Sequence, residues 1–406
     1  MDEREFVAKV RAAGARVFLV GGCVRDAMLQ KPPKDRDYVL CGMEEGCFLG
    51  RFPQAKRVGK SFPVYLLEID GRACEVAFAR RERKTGHGYR GFQVEFGAKV
   101  SIEEDLFRRD TTMNSMAVEL PQGTVMDPYG GREDIRKKII RAVSVHFMED
   151  PVRALRAARQ AAEHGFSIEA GTVSYMRRCA EELKEEPQER IVNELALALA
   201  ARKPSIFFRS LQAAGLLSCV FPEISRLVGR VQPVDFHPEG DAYEHSLLVV
   251  DKVSKETVNL AARFAGLVHD IGKGMTPDSM LPHHYGHERR GIDVMERWNE
   301  RMTLPNAWLH AAKFIIAQHM RAPRLEKPGK IVDLLLAVDK GPLPFEDFNA
   351  IIRADHGSLP DYLRDYETHL SRIRAISGKD CPSHIKGRDI GAWIRDAQVR
   401  AYIGHE

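Results

Sequence analysis

Asp35 and Asp37 stand two residues apart where the turn Lys31–Pro32–Pro33–Lys34 gives way to the apolar run Tyr38–Val39–Leu40. On a strand, side chains i and i+2 share a face, so both carboxylates project together and Arg36 turns away. Paired carboxylates repel unless a cation lies between them. Oxygen donors at this spacing suit Mg²⁺, which is commonly held by one or two carboxylates together with substrate phosphates. Upstream, Gly21 and Gly22 let backbone approach an anion, and Arg25 lies within reach as a phosphate partner. A D-x-D pair alone also describes a solvated strand start. The glycines and the fixed offset make it a nucleotide-site candidate.

A second group of chemical residues is rich in histidine. His245 precedes His269–Asp270–Ile271–Gly272–Lys273–Gly274, and His283–His284–Tyr285–Gly286–His287 follows as a loop. His319 and the pair Asp355–His356 come later. Adjacent His and Asp on a helix offer an imidazole and a carboxylate to a metal, a borderline set suited to Mn, Ni, Co, Fe or Mg. A water on that metal would be acidified to attack a phosphate ester. Asp355 is the candidate last acid by position.

The elements that must carry these residues fall into two styles. Val17–Val20 reads as a buried strand, Cys23–Leu29 as a helix opening after the glycines, and residues 37–41 as the strand bearing the carboxylates. Phe62–Ile69 and Arg72–Arg80 read as strands joined by Asp70–Gly71, a hairpin signal. Ala73, Glu75 and Ala77 share a face of the second strand. Glu75 is thus a candidate third carboxylate, with an equal reading as cross-strand partner of a basic residue. Arg80 to Arg90 is basic and glycine-rich, the composition of a mobile loop over phosphates. From about residue 150 the pattern turns helical. Asp150 caps a helix opened by Pro151, with Arg153, Arg156 and Arg159 in one broad stripe. Further helices are expected at 172–184, 188–201 and 204–215, a linker around 221–240, and little pattern in 378–406.

A chain of 406 residues predicts two to four domains. With 44% hydrophobic and 29% charged residues it has a soluble globular composition, without a membrane-length apolar run. Seven cysteines without CxxC spacing predict reduced thiols and a cytoplasmic setting. The net charge of +4 is uneven: residues 1–160 carry 29 Lys/Arg against 23 Asp/Glu, and the remainder 32 against 34. A basic half that also holds a carboxylate pair fits a polyanionic substrate with a metal.

LVGGCVRDAMLQKPPKDRDYVL (residues 19–40) resembles the first motif of class II tRNA nucleotidyltransferases, the CCA-adding enzymes of the polymerase-β superfamily. DLFRRDTTMNSMA (105–117), DPYGG (127–131), EDPVRALRAAR (149–159) and PQERIVNEL (187–195) resemble the next four, in order. His245, the His269–Asp270 doublet and a later acid resemble the H…HD…D order of HD phosphohydrolases. The combined order resembles multifunctional CCA proteins. The departures, Thr111 and Gln30, carry no chemistry.

The resemblance implies an α/β polymerase-β-type nucleotidyltransferase domain followed by an all-α region with an HD domain. The expected boundaries are 1–140 (head), 141–230 (neck and RNA binding), 231–375 (HD) and 376–406 (an unassigned tail). It implies that Asp35 and Asp37 hold Mg²⁺, and that Gly22, Arg25, Arg109 and Asn114 contact the incoming nucleotide. Asp150 and Arg153 would read the base edge, a salt bridge between them locking the pair, with Arg156 and Arg159 facing phosphates. His245, His269, Asp270 and Asp355 would hold Ni²⁺, Mn²⁺ or Mg²⁺ for 2′,3′-cyclic phosphodiesterase, 2′-nucleotidase or phosphatase chemistry. The implied partners are tRNA, ATP and CTP, with no membrane, for a monomer or homodimer. Poly(A) polymerases share the first four motifs and are the rival reading, as are enzymes adding only CC or only A. The run Val58–Gly59–Lys60–Ser61–Phe62–Pro63–Val64 resembles the CCA-adding version.

Overall fold

In a computed structural model, all residues are described except 33–34, 59–62, 85–91, 234, 236–237 and 405–406. The run 58–64 and the loop 80–90 therefore lie partly outside the described residues. The chain forms two compact units, Met1–Glu194 with Ile206–Val220, and Leu195–Ser205 with Phe221–Glu406.

The first unit is built on a mixed sheet. Its strands are β1 (Arg16–Val20), β2 (Asp37–Cys41), β3 (Lys56–Val58), β4 (Val64–Ile69) and β5 (Arg72–Phe78). After a separate hairpin of β6 (Arg80–Lys84) and β7 (Phe92–Phe96) come β8 (Ala117–Leu120) and β9 (Thr124–Met126). The order is β3-β4-β5-β2-β1-β8-β9. Strand β2 is central, and every residue after Asp37 in it is buried, which is why its sequence is apolar without alternation. Asp70 and Gly71 both take positive φ (50° and 71°), closing the β4–β5 hairpin as the Asp-Gly pair predicts. Phe6, Phe48, Phe52, Tyr65 and Phe78 fill one side of the sheet. Residues 80–84, expected as loop, are instead the strand β6, paired with β7 from Arg80↔Phe96 to Lys84↔Phe92.

The helix expected over 172–184 breaks into Ala170–Arg178 and Ala180–Lys184. Cys179 closes the first with a tightened bond to Met176 and opens the second. The second unit is helical. At its centre Leu260–Val268 is buried from Ala261 onward, on every face. Arg263 survives there because its guanidinium donates to the carbonyls of Thr257, Leu199, Ala201 and Ser254. Residues 378–406, unpatterned in sequence, carry a helix at Asp389–Ile403 that packs on Pro328–Asp339 and Tyr366–Ala375. No disulfide joins the cysteines among the described residues. No described helix is long and apolar enough to cross a membrane.

Candidate active sites

In the first unit a cavity of about 750 Å³ opens over β1, β2 and β5. Its lining includes Gly22, Arg25, Asp37, Glu75, Arg109, Asn114, Asp150, Arg153, Arg156 and Arg159. Of the residues nominated from sequence for this site, only Asp35 is outside the lining. The reason is local. Strand β2 begins at Asp37, so Asp35 lies in irregular chain before it and strand parity does not orient it. Arg36 turns away as expected, donating to Glu3 at 2.7 Å.

Asp37 pairs with Glu75 in the parallel β2–β5 register, so two carboxylates occupy adjacent strands of one cavity. Burial pushes the Asp37 carboxyl up, the charges of Glu75 and Asp35 push it further, and Arg109 opposes them. Converging acids with one opposing cation are what a divalent ion would relieve, so these residues fit Mg²⁺. Gly21, at φ +72°, sits where a Cβ would approach Arg109 Nη1 to 3.2 Å.

Most arginines here are held by side-chain partners. Arg109 donates to Asp105 (2.9 Å), as does Arg108 (2.7 Å), and Asp105 is fully buried. Arg25 donates to Asn114 Oδ1 at 2.8 Å, and Asn114 donates to Asp110 at 3.0 Å. Asp110 also accepts from Arg156 (2.9 Å) and Gln160 (3.0 Å). Arg159 pairs with Glu194 (2.6 Å) and Glu163 (2.7 Å). Asp150 accepts from Arg190 through both oxygens, at 3.0 and 2.8 Å, while Arg153 Nη1 donates to the His146 carbonyl at 2.8 Å. Sequence reasoning missed the supporting Asp105, Asp110, Arg190 and Glu194. The only signal was their place inside the charged motifs.

In the second unit, residues from five helical segments converge. His245 lies on Ala242–Glu256, His269 and Asp270 follow Leu260–Val268, His287 opens His287–Arg301, His319 ends Asn306–Gln318, and Asp355 lies on Phe345–His356. His245 Nε2 is 2.9 Å from Asp355 Oδ1, and His269 Nε2 is 3.2 Å from Asp270 Oδ2. All four nominated residues are thus together. His287 and His319, not nominated, join them at 3.2 and 3.4 Å from Asp270 Oδ1. Gly272 makes this approach feasible, since a Cβ there would lie 1.9 Å from the His287 carbonyl oxygen. Burial lowers the His269 pKa, but the Asp270 and Asp355 carboxylates outweigh it and push it up to about 10. The site draws positive charge, and a metal can supply it in place of the proton. Asp270 and Asp355 border a cavity of about 670 Å³, along with Lys273, Tyr285, Arg324 and His356.

A carboxylate-bearing mixed sheet under an arginine-lined cavity defines a nucleotidyltransferase, and the His/Asp set on helices defines an HD phosphohydrolase domain. Comparison with known proteins agrees. Residues 17–141 match the family described as "Poly A polymerase head domain", 165–227 match "Probable RNA and SrmB- binding site of polymerase A", and 242–360 match "HD domain". The multifunctional CCA protein of Nitrosococcus oceani is 41% identical over 345 residues, covering 84% of each chain. That of Thioalkalivibrio sulfidiphilus is 38% identical over 406 residues, covering 95% of this chain and 97% of the relative. The chain belongs to the multifunctional CCA protein family and is a tRNA nucleotidyltransferase with an HD phosphohydrolase domain. Its fold is shared with the CCA-adding enzyme of Bacillus stearothermophilus, solved in complex with CTP (TM-score 0.68, 23% identity, 98% and 92% of the two chains). The same holds for the Thermotoga maritima enzyme, complexed with tRNA (TM-score 0.65, 18% identity, 99% and 91%).

Proposed function

We propose that the first cavity is where CTP and ATP are joined in turn to a tRNA 3′ end, and that the second unit hydrolyses a phosphoester. One observation supports the first part most. The cavity is lined by eight arginines against five carboxylates, and all but Arg80 and Glu75 come from the first, second, fourth and fifth motifs. An excess of guanidinium suits a triphosphate, and two strand carboxylates suit its metal.

Asp37, with Asp35 beside it in sequence and Glu75 across the register, would hold Mg²⁺. When bound there, the metal would supply Lewis acidity to the terminal hydroxyl and positive charge to the leaving pyrophosphate. Gly22, Arg25 and Arg109 position the triphosphate, with Asn114 orienting Arg25. Asp150 accepts from the exocyclic amine of C or A, and Arg153 donates to the neighbouring ring acceptor; G and U offer the wrong edge. Arg190 holds Asp150 in place. Arg156 and Arg159 supply positive charge toward the phosphates from their ion-paired positions.

In the second unit His245, His269, Asp270 and Asp355 would hold Ni²⁺, Mn²⁺ or Mg²⁺, which would supply an acidified water for attack on the phosphoester. His269 Nδ1 donates to the Gly266 carbonyl at 2.9 Å, which leaves Nε2 as the ligand atom. The domains are read as 1–140, 141–230 and 231–375, with 376–406 following. The protein is read as cytoplasmic, a monomer or homodimer.

The deciding experiment supplies CTP and ATP separately and together to tRNA lacking its CCA end. Two additions with CTP and a third only with ATP support the reading. Long tails from ATP alone would overturn it in favour of a poly(A) polymerase.

A further inference from the structure

Beside the nucleotide cavity the first unit has a smaller one, of about 330 Å³. Its rings are Phe107 from the second motif, Tyr129 from the third and His146 just before the fourth, joined by Arg81 and Arg108. Arg108 lines both cavities, so the two adjoin. No residue of the third motif lines the nucleotide cavity, which leaves Tyr129 without a part in the reaction described above.

Phe107 is the centre of the group. Its ring lies 5.6 Å from that of Tyr129 and 5.2 Å from that of His146, which it meets edge to face. Even so, Phe107 is 40% exposed. One exposed phenylalanine is ordinary, but three rings gathered in a cavity beside two guanidiniums form a surface. The polar atoms around it are committed elsewhere. Tyr129 donates to the Glu103 carbonyl at 2.9 Å, and His146 Nδ1 lies 2.8 Å from Glu149 Oε1. Arg108 donates to Asp105 at 2.7 Å and Arg81 to Glu104 at 2.8 Å. Glu103 and Glu104 also line the cavity and balance its two arginines, so it lacks the positive excess that suits phosphates next door. What it offers a ligand is mainly flat apolar surface.

Such a surface suits a nucleobase. Stacking on an aromatic face tolerates every base, because each has a π-face. An enzyme that adds CTP and ATP in turn needs that tolerance, since the end of its acceptor changes as additions proceed. Hydrogen bonds fitted to one base edge would fail at a later step.

We infer that this aromatic cavity holds an unpaired base of the tRNA 3′ end, stacked on Phe107, whose ring Tyr129 and His146 keep in place. The terminal hydroxyl then enters the adjoining nucleotide cavity. The inference rests on the CCA-adding reading and adds to it the place where the acceptor base is held.

The test is a double-mutant cycle between protein and RNA. The full chain and its Phe107→Ala variant are each titrated with tRNA lacking its CCA end. That tRNA is either intact or carries an abasic nucleotide at the last or next-to-last position. Removing the stacked base should weaken binding to the unmodified protein by roughly 10- to 100-fold. Phe107→Ala should lose about as much on intact tRNA, and little more when the base is also gone, because both changes remove one contact. Its KM for CTP should not move. Phe107→Trp keeps a stacking face and should retain the affinity, which a purely structural loss would not allow. No loss from Phe107→Ala, or losses that multiply at both abasic positions, would overturn the inference. A raised KM for CTP with tRNA affinity intact would also overturn it and give the cavity to the incoming nucleotide. The unmodified protein separates the two levels. If it extends intact tRNA with CTP and ATP while the losses multiply, only the stacked base is discarded. If it adds neither nucleotide, the CCA-adding reading falls and the inference with it. Far-ultraviolet circular dichroism checks that each variant is folded.

Discussion

The two cavities position their chemical groups by opposite means. In the first unit, most functional side chains are tethered by other side chains: Arg109 by Asp105, Arg156 by Asp110, and Asp150 by Arg190, while Arg153 also reaches the His146 carbonyl. In the second, three of the imidazoles are set by the main chain, His269, His287 and His319 each donating to a carbonyl on a neighbouring turn, while His245 Nδ1 meets the Glu239 carboxylate. The difference matches what each site must do. A triphosphate arrives with its metal and departs as pyrophosphate, so long side chains that exchange partners suit it. A resident ion needs donors fixed before it binds, and short backbone bonds to buried rings fix them.

The largest effects should separate the two sites cleanly. Asp37→Ala is expected to lower nucleotide incorporation by about 10³-fold or more, since a metal contributes several kcal/mol of transition-state stabilisation. It should leave phosphoester hydrolysis unchanged. Asp270→Ala should do the converse, removing hydrolysis and sparing tRNA extension. Loss of both activities in either variant would break the comparison.

Gly272→Ala probes the backbone-built site alone. A Cβ there would collide with the His287 carbonyl at 1.9 Å, so the start of His287–Arg301 must move. Hydrolysis should fall by roughly 10²-fold, because misplacement by about 1 Å is worth that much. Extension of tRNA in the same preparation should be unaffected. Full hydrolysis would mean that the main chain does not set the ligand geometry.

Arg190→Ala probes the side-chain-built site. Asp150 would lose its bidentate partner, and charged hydrogen bonds contribute about 1.5–3 kcal/mol, or roughly 10- to 100-fold. The ratio of kcat/KM for CTP over UTP should fall by that factor, with tRNA affinity held. Arg190→Lys should recover only part of it, because an ammonium lacks the planar fork. Unchanged discrimination would remove Arg190 from base reading.

Legibility in the sequence follows the same division. Asp37 and Glu75 were readable because a central strand and an Asp-Gly hairpin leave strong local patterns, and the paired register then set them side by side. Strand alternation does not reach Asp35, because where a strand begins is decided by its neighbours' hydrogen bonds, and here the ladder begins at Asp37. His287 and His319 stand 32 residues apart on different helices, and only tertiary packing through Gly272 unites them with Asp270. The Asp389–Ile403 helix escaped notice because Ala397 is its single buried residue, so it has almost no apolar stripe. Arg395, paired with Asp333 at 2.8 Å, helps to dock it instead.

The remaining prediction concerns acid. Burial by itself would raise the carboxyl of Asp105, but the Arg108 and Arg109 guanidiniums outweigh it and hold it well below the usual carboxylate range. Asp110 is likewise pushed up by burial and held well below that range by Arg156 and Asn114. A folded-state pKa below the unfolded value of about 3.9 adds stability that is present above that pH and lost as pH falls toward the folded value. The first unit should therefore weaken progressively below about pH 4. Asp105→Asn should start lower at pH 7, by roughly 3 kcal/mol for breaking a buried pair, and should show a flatter decline below pH 4. Trp298, Trp308 and Trp393 all lie in the second unit, so tryptophan fluorescence follows that unit while far-ultraviolet dichroism follows both. The variant should shift the dichroism transition and leave the fluorescence transition in place. A matching shift in fluorescence would mean that the two units unfold as one, and that the ion pairs of the first site also stabilise the histidine cage of the second.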